Sequence, residues 1–280
     1  MSVITKQYTN HVSMVVDASG SMGHLKTAVV KAFDGLIGSL KRTSETFKQE
    51  TRVSVYLFDS EHDGRQHVPR IKVAAFDMDV MRLPSIKDIY SPGGGTPLAF
   101  AAKQSMEDLD KVPELYTDHA FLVYLLTDGE ENTSGPAAID WLKHRMGALK
   151  ENWTVVAQVP NSAGVRYMQG LGFAKGNIEV WDTSERGIEE AVRSFDTSAT
   201  RYMTARATGV RGSQSYFQVD ATQLNAATVK KELTPISSRK FRLVQNPEAT
   251  AVQIRPLVEQ ATGEPYVLGN SYYGLVKNET

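Results

Sequence analysis

The sequence predicts a doubly wound α/β fold: a mostly parallel six-stranded sheet with one antiparallel edge strand and helices on both faces. Strand-like segments alternate with amphipathic helical segments between residues 11 and 202. Segment 119–127 is the most apolar in the chain, and segment 11–17 is mostly apolar without clean alternation, as expected for strands covered on both faces. Segments 51–59 and 68–76 are separated by a short polar loop, which favours an antiparallel hairpin.

The remaining elements follow from the spacing of apolar residues. Between Leu25 and Leu40 these residues recur at helical spacing, with lysines and an aspartate on the opposite side. Pro69 near the start of the third strand favours an edge position. Thr96 and Pro97 suit the N-cap and the first residue of the second helix. The predicted strands are 11–17, 51–59, 68–76, 119–127, 153–159 and 178–181, and the predicted helices are 25–40, 97–109, 136–149, 162–170 and 185–202.

Composition excludes several classes of function. The chain has 280 residues, of which 41% are hydrophobic and 22% charged, and its formal net charge is -1, so its charge does not point to nucleic acid or an anionic membrane. It has no cysteine, which excludes disulfides, thiolate catalysis and cysteine metal sites. We find no signal-peptide pattern and no run of about 18 apolar residues. We therefore expect a cytoplasmic protein of cellular or bacteriophage origin.

The sequence predicts two domains of unequal size. Residues 1–203 contain the alternating pattern, and residues 204–214 are polar and contain glycine, which is typical of a linker. Residues 215–280 form a small α+β domain or extension, incomplete or completed by another chain. Within it we predict strands at Tyr216 to Val219 and Arg239 to Val244, a helix at Ala221 to Leu233, a short apolar segment at Ala251 to Val258 and an aromatic, strand-like stretch at Tyr266 to Val276.

The loop after the first strand carries three oxygen-bearing side chains at alternate positions. These are Asp17, Ser19 and Ser21, and the glycines at 20 and 23 let the backbone bend tightly. Ligands that offer only oxygen suit a hard cation, Mg²⁺ or alternatively Ca²⁺ or Mn²⁺. Taken alone, the segment is equally compatible with an ordinary capped loop.

Two further polar residues fall at the same predicted edge of the sheet. Thr96 follows three glycines at the start of the second helix, and Asp128 follows the central strand. In a doubly wound sheet, ligands bind outside the carboxyl ends of the strands, where the strand order reverses. The predicted metal site therefore comprises Asp17, Ser19, Ser21, Thr96 and Asp128. Singly, Thr96 could be only an N-cap and Asp128 only a turn residue.

The charge of this site indicates what else it can bind. Two carboxylates roughly neutralise a divalent cation, and the three hydroxyls add no charge, so a coordination position stays open for water or an external acidic group. No catalytic base is evident in the motif. Glu130, Glu131 and Asn132 would rim the crevice or belong to a solvated loop. His24 could approach the site, although solvent exposure is the simpler expectation. The six histidines show no metal-binding spacing: His11, His24, His62, His67, His119 and His144.

These five residues resemble the metal-ion-dependent adhesion site of the von Willebrand factor type A (vWA) domain. That family has Asp-x-Ser-x-Ser, then a threonine after a glycine-rich loop, then an aspartate at the end of the fourth strand, and this sequence matches all five positions. The resemblance covers roughly residues 8–202. It implies a vWA/Rossmann-like fold of intracellular or phage type. It also implies that both serines contact the metal directly, that Thr96 and the aspartates bind directly or through water, and that a partner carboxylate is the sixth ligand.

Three functional hypotheses follow. The first is a divalent-metal-dependent protein interaction module and not an enzyme, with an AAA+ ATPase or an assembly component as the partner that the resemblance suggests. The second is a structural or assembly protein in which the metal only orders the loops. The third, which the small number of carboxylates disfavours, is a metal-dependent hydrolase. We expect neither nucleic acid nor a membrane as a partner.

Overall fold

The computed structural model describes residues 7–115, 117–129, 131–218, 241–245 and 273–277. The chain divides into two compact units, Met1–Phe217 and Gln218–Thr280. The first unit contains a six-stranded sheet in the order β3-β2-β1-β4-β5-β6. Its strands are β1 Tyr8–Asp17, β2 Glu50–His62, β3 His67–Asp79, β4 Asp118–Leu126, β5 Trp153–Val159 and β6 Ile178–Val180. Its helices are α1 Lys26–Phe47, α2 Leu98–Leu109, α3 Pro136–Gly147, α4 Ser162–Gly170 and α5 Glu185–Ala207.

The predicted fold class is confirmed. All neighbouring strands of the sheet are parallel except β2 and β3, which form an antiparallel hairpin at one edge. β1 and β4 lie side by side at the centre, and every residue of each after the first is buried. This burial on both faces explains why neither strand shows apolar–polar alternation in the sequence.

Two apolar clusters cover the two faces of the sheet. Alternate residues of β1 point to opposite faces, so Met14 packs in the cluster that includes α1 and α5, while Val15 packs with α2, α3 and α4. Each helix thus buries its apolar stripe against one face. The loops that leave the carboxyl ends of β1 and β4 are held by this framework on both sides.

Most predicted boundaries agree with the structure to within a few residues. The largest difference is at α1, which continues seven residues beyond residue 40, to Phe47. The next largest lie in the hairpin and the last helix. β2 and β3 each extend three residues beyond the predicted carboxyl ends, and α5 continues five residues beyond residue 202. A short 3-10 helix, Gly20–Leu25, precedes α1. Among the described residues, no helix is long and apolar enough to cross a membrane.

Residues 204–217 pack against the first unit instead of leaving it. α5 ends only at Ala207, and the segment after it returns to β5 and β6: the Ser213 amide donates to Thr154 Oγ1 at 2.9 Å, and the Tyr216 amide donates to Asn177 Oδ1 at 2.8 Å. The segment predicted as a linker, 204–214, therefore has fixed contacts. The predicted strand at Tyr216 to Val219 is wrong for its described residues 216–218, which form bends. The Tyr216 amide binds a side chain, Asn177, and the Phe217 amide binds the Gly176 carbonyl, so neither pairs with a strand.

The second unit is described only at two strands. β7, Phe241–Gln245, pairs antiparallel with β8, Tyr273–Lys277. They agree with the strand predicted at Arg239 to Val244 and with the end of the aromatic stretch at Tyr266 to Val276. The predicted helix at Ala221 to Leu233 and the segment Ala251 to Val258 lie outside the described residues.

Candidate metal centre

The candidate site lies where the order of the strands reverses. β1 connects through α1 to β2 on one side, whereas its other neighbour is β4. Val16 pairs with Leu126, so the residues that follow each strand emerge at the same level of the sheet. Asp17 is the last residue of β1, and Thr127 and Asp128 are the first residues after β4. A pair of adjacent parallel strands with diverging connections leaves a crevice at this point, as the sequence analysis assumed.

Asp17 is fully buried and both of its carboxylate oxygens are engaged. Oδ1 accepts a hydrogen bond from the Ser19 amide at 2.7 Å, and Oδ2 accepts one from Thr127 Oγ1 at 2.5 Å. Thr127 is itself held because its carbonyl accepts from Trp181 Nε1 at 2.9 Å. The Asp17 carbonyl accepts from the Tyr90 hydroxyl at 2.7 Å. The carboxylate is thus fixed in orientation before any cation is present.

Burial raises the pKa of the Asp17 carboxyl to about 6, against the hydrogen bonds from Thr127 and Ser19, which lower it. Because the folded-state pKa lies above the ordinary value, the folded protein holds this proton more tightly than the unfolded chain does. Stability therefore falls as the pH rises from about 4 to about 6, and the whole cost is present at neutral pH. An unpaired buried carboxylate of this kind is the group that a bound cation would stabilise.

We expect Asp17→Asn to stabilise the metal-free protein at pH 7. The asparagine oxygen can still accept from Ser19, and its amide can donate to Thr127 Oγ1, so the change removes mainly the buried charge. The gain should be roughly 3 kcal/mol in the free energy of unfolding, from about 1.36 kcal/mol per pKa unit. Urea unfolding in EDTA at pH 7 and pH 3.5 measures it: the two proteins should differ at pH 7 and converge at pH 3.5. Equal stability at pH 7 would show that Asp17 carries no such cost.

The serine loop and Asp128 are joined through hydroxyls. Ser19 Oγ and Ser21 Oγ lie 3.0 Å apart, and Ser21 Oγ donates to Asp128 Oδ1 at 2.7 Å. Ser19 is buried, whereas Ser21 is exposed and Asp128 is partly exposed, so one side of the group faces solvent. Burial raises the pKa of the Asp128 carboxyl, and its bond from Ser21 opposes this rise. Side chains that follow β1 and β4 are therefore in direct contact.

Thr96 completes the group from the glycine-rich loop. A Cβ atom added to Gly129, the residue after Asp128, would lie 3.0 Å from Thr96 Oγ1 and 3.8 Å from Ser21 Oγ. Thr96 and Ser21 therefore approach the same point of the backbone from opposite loops. All five predicted residues are brought together at this edge. Within the described residues, no cluster of three or more histidines, aspartates or glutamates could hold a metal, so the hydroxyls are essential to any cation site here.

The glycine-rich loop is clamped between β2 and the serine loop. Ser60 Oγ accepts from the Gly95 amide at 2.6 Å, and the Gly94 carbonyl accepts from the Gly20 amide at 2.9 Å. Gly94 has φ +65, and an added Cβ would lie 1.7 Å from the Ser60 carbonyl oxygen. Only glycine fits this position. Ser60 was not identified from the sequence, because β2 was predicted to end one residue before it.

Glu131 and Asn132 fix the start of α2. Glu131 Oε2 accepts from the Ala99 amide at 2.7 Å, and Asn132 Oδ1 accepts from the Thr96 amide at 2.8 Å. The predicted N-cap role of Thr96 is wrong: Pro97 occupies the N-cap without a side-chain bond, and Glu131 supplies the acceptor from another loop. The Thr96 hydroxyl is consequently not used as a cap. Glu131 and Asn132 therefore position the start of α2 and do not belong to a merely solvated loop.

His24 contacts the carbonyl of one candidate ligand. Its Nδ1 lies 2.7 Å from the Ser21 carbonyl oxygen, so that this nitrogen donates, and its Nε2 lies 3.5 Å from the Thr183 carbonyl oxygen. The ring is exposed, as expected from the sequence, but it also holds the Ser21 backbone. His24 therefore positions the serine loop from the solvent side.

Comparison with known proteins gives similarity at the level of fold. No protein-family model and no curated protein matches the chain. Among solved structures, the pilus adhesin SpaC from Lactobacillus rhamnosus GG has a TM-score of 0.53 at 16% identity, over 72% of this chain and 31% of the adhesin. The PilB minor pilin from Streptococcus sanguinis has a TM-score of 0.50 at 14% identity, over 72% of this chain and 64% of the pilin. A von Willebrand factor type A protein from Catenulispora acidiphila has a TM-score of 0.47 at 15% identity, over 70% and 43% of the two chains.

The strand order and the single antiparallel edge agree with the similarities to the adhesin and the pilin. The fold is a doubly wound, vWA/Rossmann-like α/β fold. The three solved structures share at most 16% of their residues with it, and the chain spans less than two thirds of the length of each. The similarity therefore concerns the architecture of the chain, and its chemistry depends on the residues at the carboxyl edge of β1 and β4.

Proposed function

We propose that this vWA domain is a divalent-metal-dependent protein interaction module that binds an acidic side chain of a partner through a metal-ion-dependent adhesion site. One observation carries the proposal: five oxygen-bearing side chains from three separate loops meet at the point where the strand order reverses. Mg²⁺ is the expected cation, with Ca²⁺ or Mn²⁺ as alternatives, because the donors are all oxygen.

The donor set fits a cation that keeps an open position. Ser19, Ser21 and Thr96 supply neutral hydroxyls, and Asp17 and Asp128 supply the charge, so a bound divalent ion would be close to neutralised but not saturated with anionic ligands. Both Asp17 oxygens already accept protein hydrogen bonds, which favours contact through water. The Ser21 and Asp128 side faces solvent, where a partner carboxylate would approach.

The residues around the donors hold them in place without taking part in chemistry. Thr127 fixes Asp17, His24 fixes the Ser21 carbonyl, and Asn132 fixes the Thr96 amide. Preorganisation of this kind lowers the entropic cost of binding a ligand. We infer a binding function and no enzymatic one, because none of these holding contacts places a general base where it could activate water.

Titration of metal and partner tests the proposal. Isothermal titration calorimetry with Mg²⁺ and Mn²⁺ should show binding to the full chain and at least a tenfold weaker affinity for Asp128→Ala. Affinity capture from the native cell, with Mg²⁺ or with EDTA, should then recover a partner only with metal. Asp88→Asn, at an exposed acid outside the site, is the matched control and should behave as wild type.

The outcomes separate the three hypotheses. Metal binding that raises thermal stability without changing capture would instead support a structural role, with a stabilisation of about 2.7 kcal/mol at 100 times the dissociation constant. Turnover of a phosphoester substrate that Asp128→Ala abolishes would support a hydrolase. If the partner is still captured in EDTA, and is also captured by Asp128→Ala, metal-dependent binding is refuted. By resemblance, an AAA+ ATPase or an assembly component inside a cell is the partner that we expect.

A further inference from the structure

A chain of hydrogen bonds runs through the opposite, amino-terminal end of the sheet. His11 of β1 is 2% exposed and His119 of β4 is 6% exposed. His11 Nδ1 lies 2.8 Å from Asp77 Oδ1, and His11 Nε2 lies 2.9 Å from His119 Nδ1. His119 Nε2 in turn lies 2.8 Å from Thr117 Oγ1 and 3.2 Å from the Leu115 carbonyl oxygen. The metal hypothesis makes no use of this chain.

The contacts determine where the hydrogens lie when both rings are neutral. Asp77 accepts only, so His11 Nδ1 carries a hydrogen and His11 Nε2 must accept. His119 Nδ1 is then the donor in the 2.9 Å contact, and His119 Nε2 accepts from the Thr117 hydroxyl. Thr117 Oγ1 can accept from Thr9 Oγ1 at 3.0 Å, which completes the chain. In this state the 3.2 Å contact between His119 Nε2 and the Leu115 carbonyl has no hydrogen, and that carbonyl accepts from the Thr117 amide at 2.9 Å.

One added proton fits this arrangement and a second does not. A proton on His119 Nε2 would donate to the Leu115 carbonyl, while the Thr117 hydroxyl turns toward Thr9. A second proton would require hydrogens on both His11 Nε2 and His119 Nδ1, which lie 2.9 Å apart, leaving no acceptor between two cationic rings. The rings are nearly parallel, with an interplanar angle of 8°, and His11 also stacks on Phe121, so neither ring can turn away without breaking the packing.

Described charged groups around the pair are engaged in ion pairs or hydrogen bonds. Burial raises the pKa of the Asp77 carboxyl, but the bonds from His11 and Arg52 outweigh it, so its pKa lies below the ordinary value and it stays ionised. Asn152 donates both to Glu114 and to the His119 carbonyl. On the β3 and β2 side, the charged groups are Asp77, Arg52 and Glu50. Before β4 and on α5, they are Glu114 and the ion pair of Asp118 with Arg206. Beyond Phe121, Trp153 stacks on that ring, and Arg145, which pairs with Asp110, lies over Trp153.

We propose that His11 and His119 form an acid-sensitive lock between β1, β3 and the loop before β4: in the folded state the pair accepts one proton and not a second, so its contribution to stability weakens in mild acid. In the unfolded chain both imidazoles take up a proton near pH 6.5. As the pH falls below about 6, the excess of protons bound by the unfolded state over the folded state at this pair therefore rises toward one. Stability then falls as the pH falls, by about tenfold in the folding equilibrium constant per pH unit.

The test compares pH profiles of stability for the full chain. In His119→Gln, the glutamine oxygen can accept from a protonated His11, so the remaining imidazole can titrate in the folded state. The folding equilibrium constant of wild type, from urea unfolding between pH 4.5 and 8, should fall about tenfold more per pH unit below pH 6 than that of His119→Gln. His144→Gln removes an exposed histidine of α3 and should keep the wild-type slope. Parallel profiles for wild type and His119→Gln would overturn the proposal.

Imidazole nitrogen spectra of the wild type test the lock without any variant. At pH 8, two-bond ¹H–¹⁵N correlations should show both His11 and His119 with the hydrogen on Nδ1. At pH 5, while the protein is still folded, one of the two rings should be an imidazolium and the other should stay neutral. Two imidazolium rings in the folded protein would refute the one-proton lock, whatever the behaviour of the variant.

Discussion

Gly94→Ala should weaken cation binding at the candidate metal centre and destabilise the first unit of the chain strongly. A Cβ at this position would lie 1.7 Å from the Ser60 carbonyl oxygen, and the φ of +65 adds its own cost for an alanine. The left-handed conformation alone costs about 1–2 kcal/mol, and the backbone clash can be relieved only if the loop moves away from β2. We expect a loss of about 3 kcal/mol or more in the free energy of unfolding.

The displacement should reach the site because the loop is connected on both sides. Gly94 accepts from Gly20 in the serine loop, and the next residues are Gly95 and Thr96. Mg²⁺ affinity, measured by calorimetry on the folded fraction, should fall at least tenfold. Gly93→Ala is the matched control, since nothing lies within 4 Å of an added Cβ and its φ is not in the left-handed region. If Gly94→Ala were as stable as the wild type, the close packing of the glycine-rich loop against Ser60 would not be required for the fold.

The loop also shows which parts of the site sequence reasoning can reach. The five candidate ligands were predicted together because each follows a strand or precedes a helix, and the carboxyl ends of parallel strands share one edge. The clamp was not predicted. It depends on Ser60, which binds the amide of Gly95, the residue before Thr96, although Ser60 and Gly95 are 35 positions apart in the sequence. Nothing in the local sequence pattern shows that β2 extends as far as Ser60.

The prediction that Thr96 caps α2 fails for the same physical reason: the contact that decides it joins residues far apart in the sequence. Thr96 and Pro97 carry the local signal of a helix start, and local signals assume that the acceptor comes from the helix's own first turn. Here Glu131 accepts from the Ala99 amide, from a loop more than 30 residues later. A side chain from a distant loop can outcompete the local cap once tertiary structure brings it near. The helix itself was predicted correctly because its apolar periodicity depends only on sequence.

The end of the first unit shows the limit of composition as a guide. Residues 204–214 are polar and contain glycine, yet polarity does not distinguish a free linker from a segment whose polar groups bind a folded surface. The decisive residue is Arg206, which is fully buried despite its charge. A buried arginine is stable only with partners on every donor, and those partners, Asn10 and Asp118, lie at the start of β1 and β4, far away in sequence.

Replacement of Arg206 by methionine should cause the second large loss of stability. The guanidinium donates to Asn10 Oδ1 at 3.1 Å, to Asp118 Oδ1 at 2.8 Å and to the Asp118 and Val210 carbonyls at 2.6 and 3.2 Å. Methionine keeps much of the volume but leaves these acceptors without their donor. Removal of one partner of a buried ion pair costs about 3–5 kcal/mol, and Arg211, 3.4 Å from Asp118, offsets only part of it.

Urea unfolding of Arg206→Met, with Arg186→Met as control, measures this cost. Arg186 lies on the same helix with an 86% exposed side chain and an ion pair to Glu190, so its loss should cost less than about 1 kcal/mol. Adding Asp118→Asn to Arg206→Met should recover part of the loss, because the double variant no longer buries a carboxylate without its main cation. If the double variant is no more stable than Arg206→Met, the penalty lies in packing and not in charge. The C-terminal end of α5 would then be held by shape alone, and the ion pair would not be what fixes residues 204–217 to the domain.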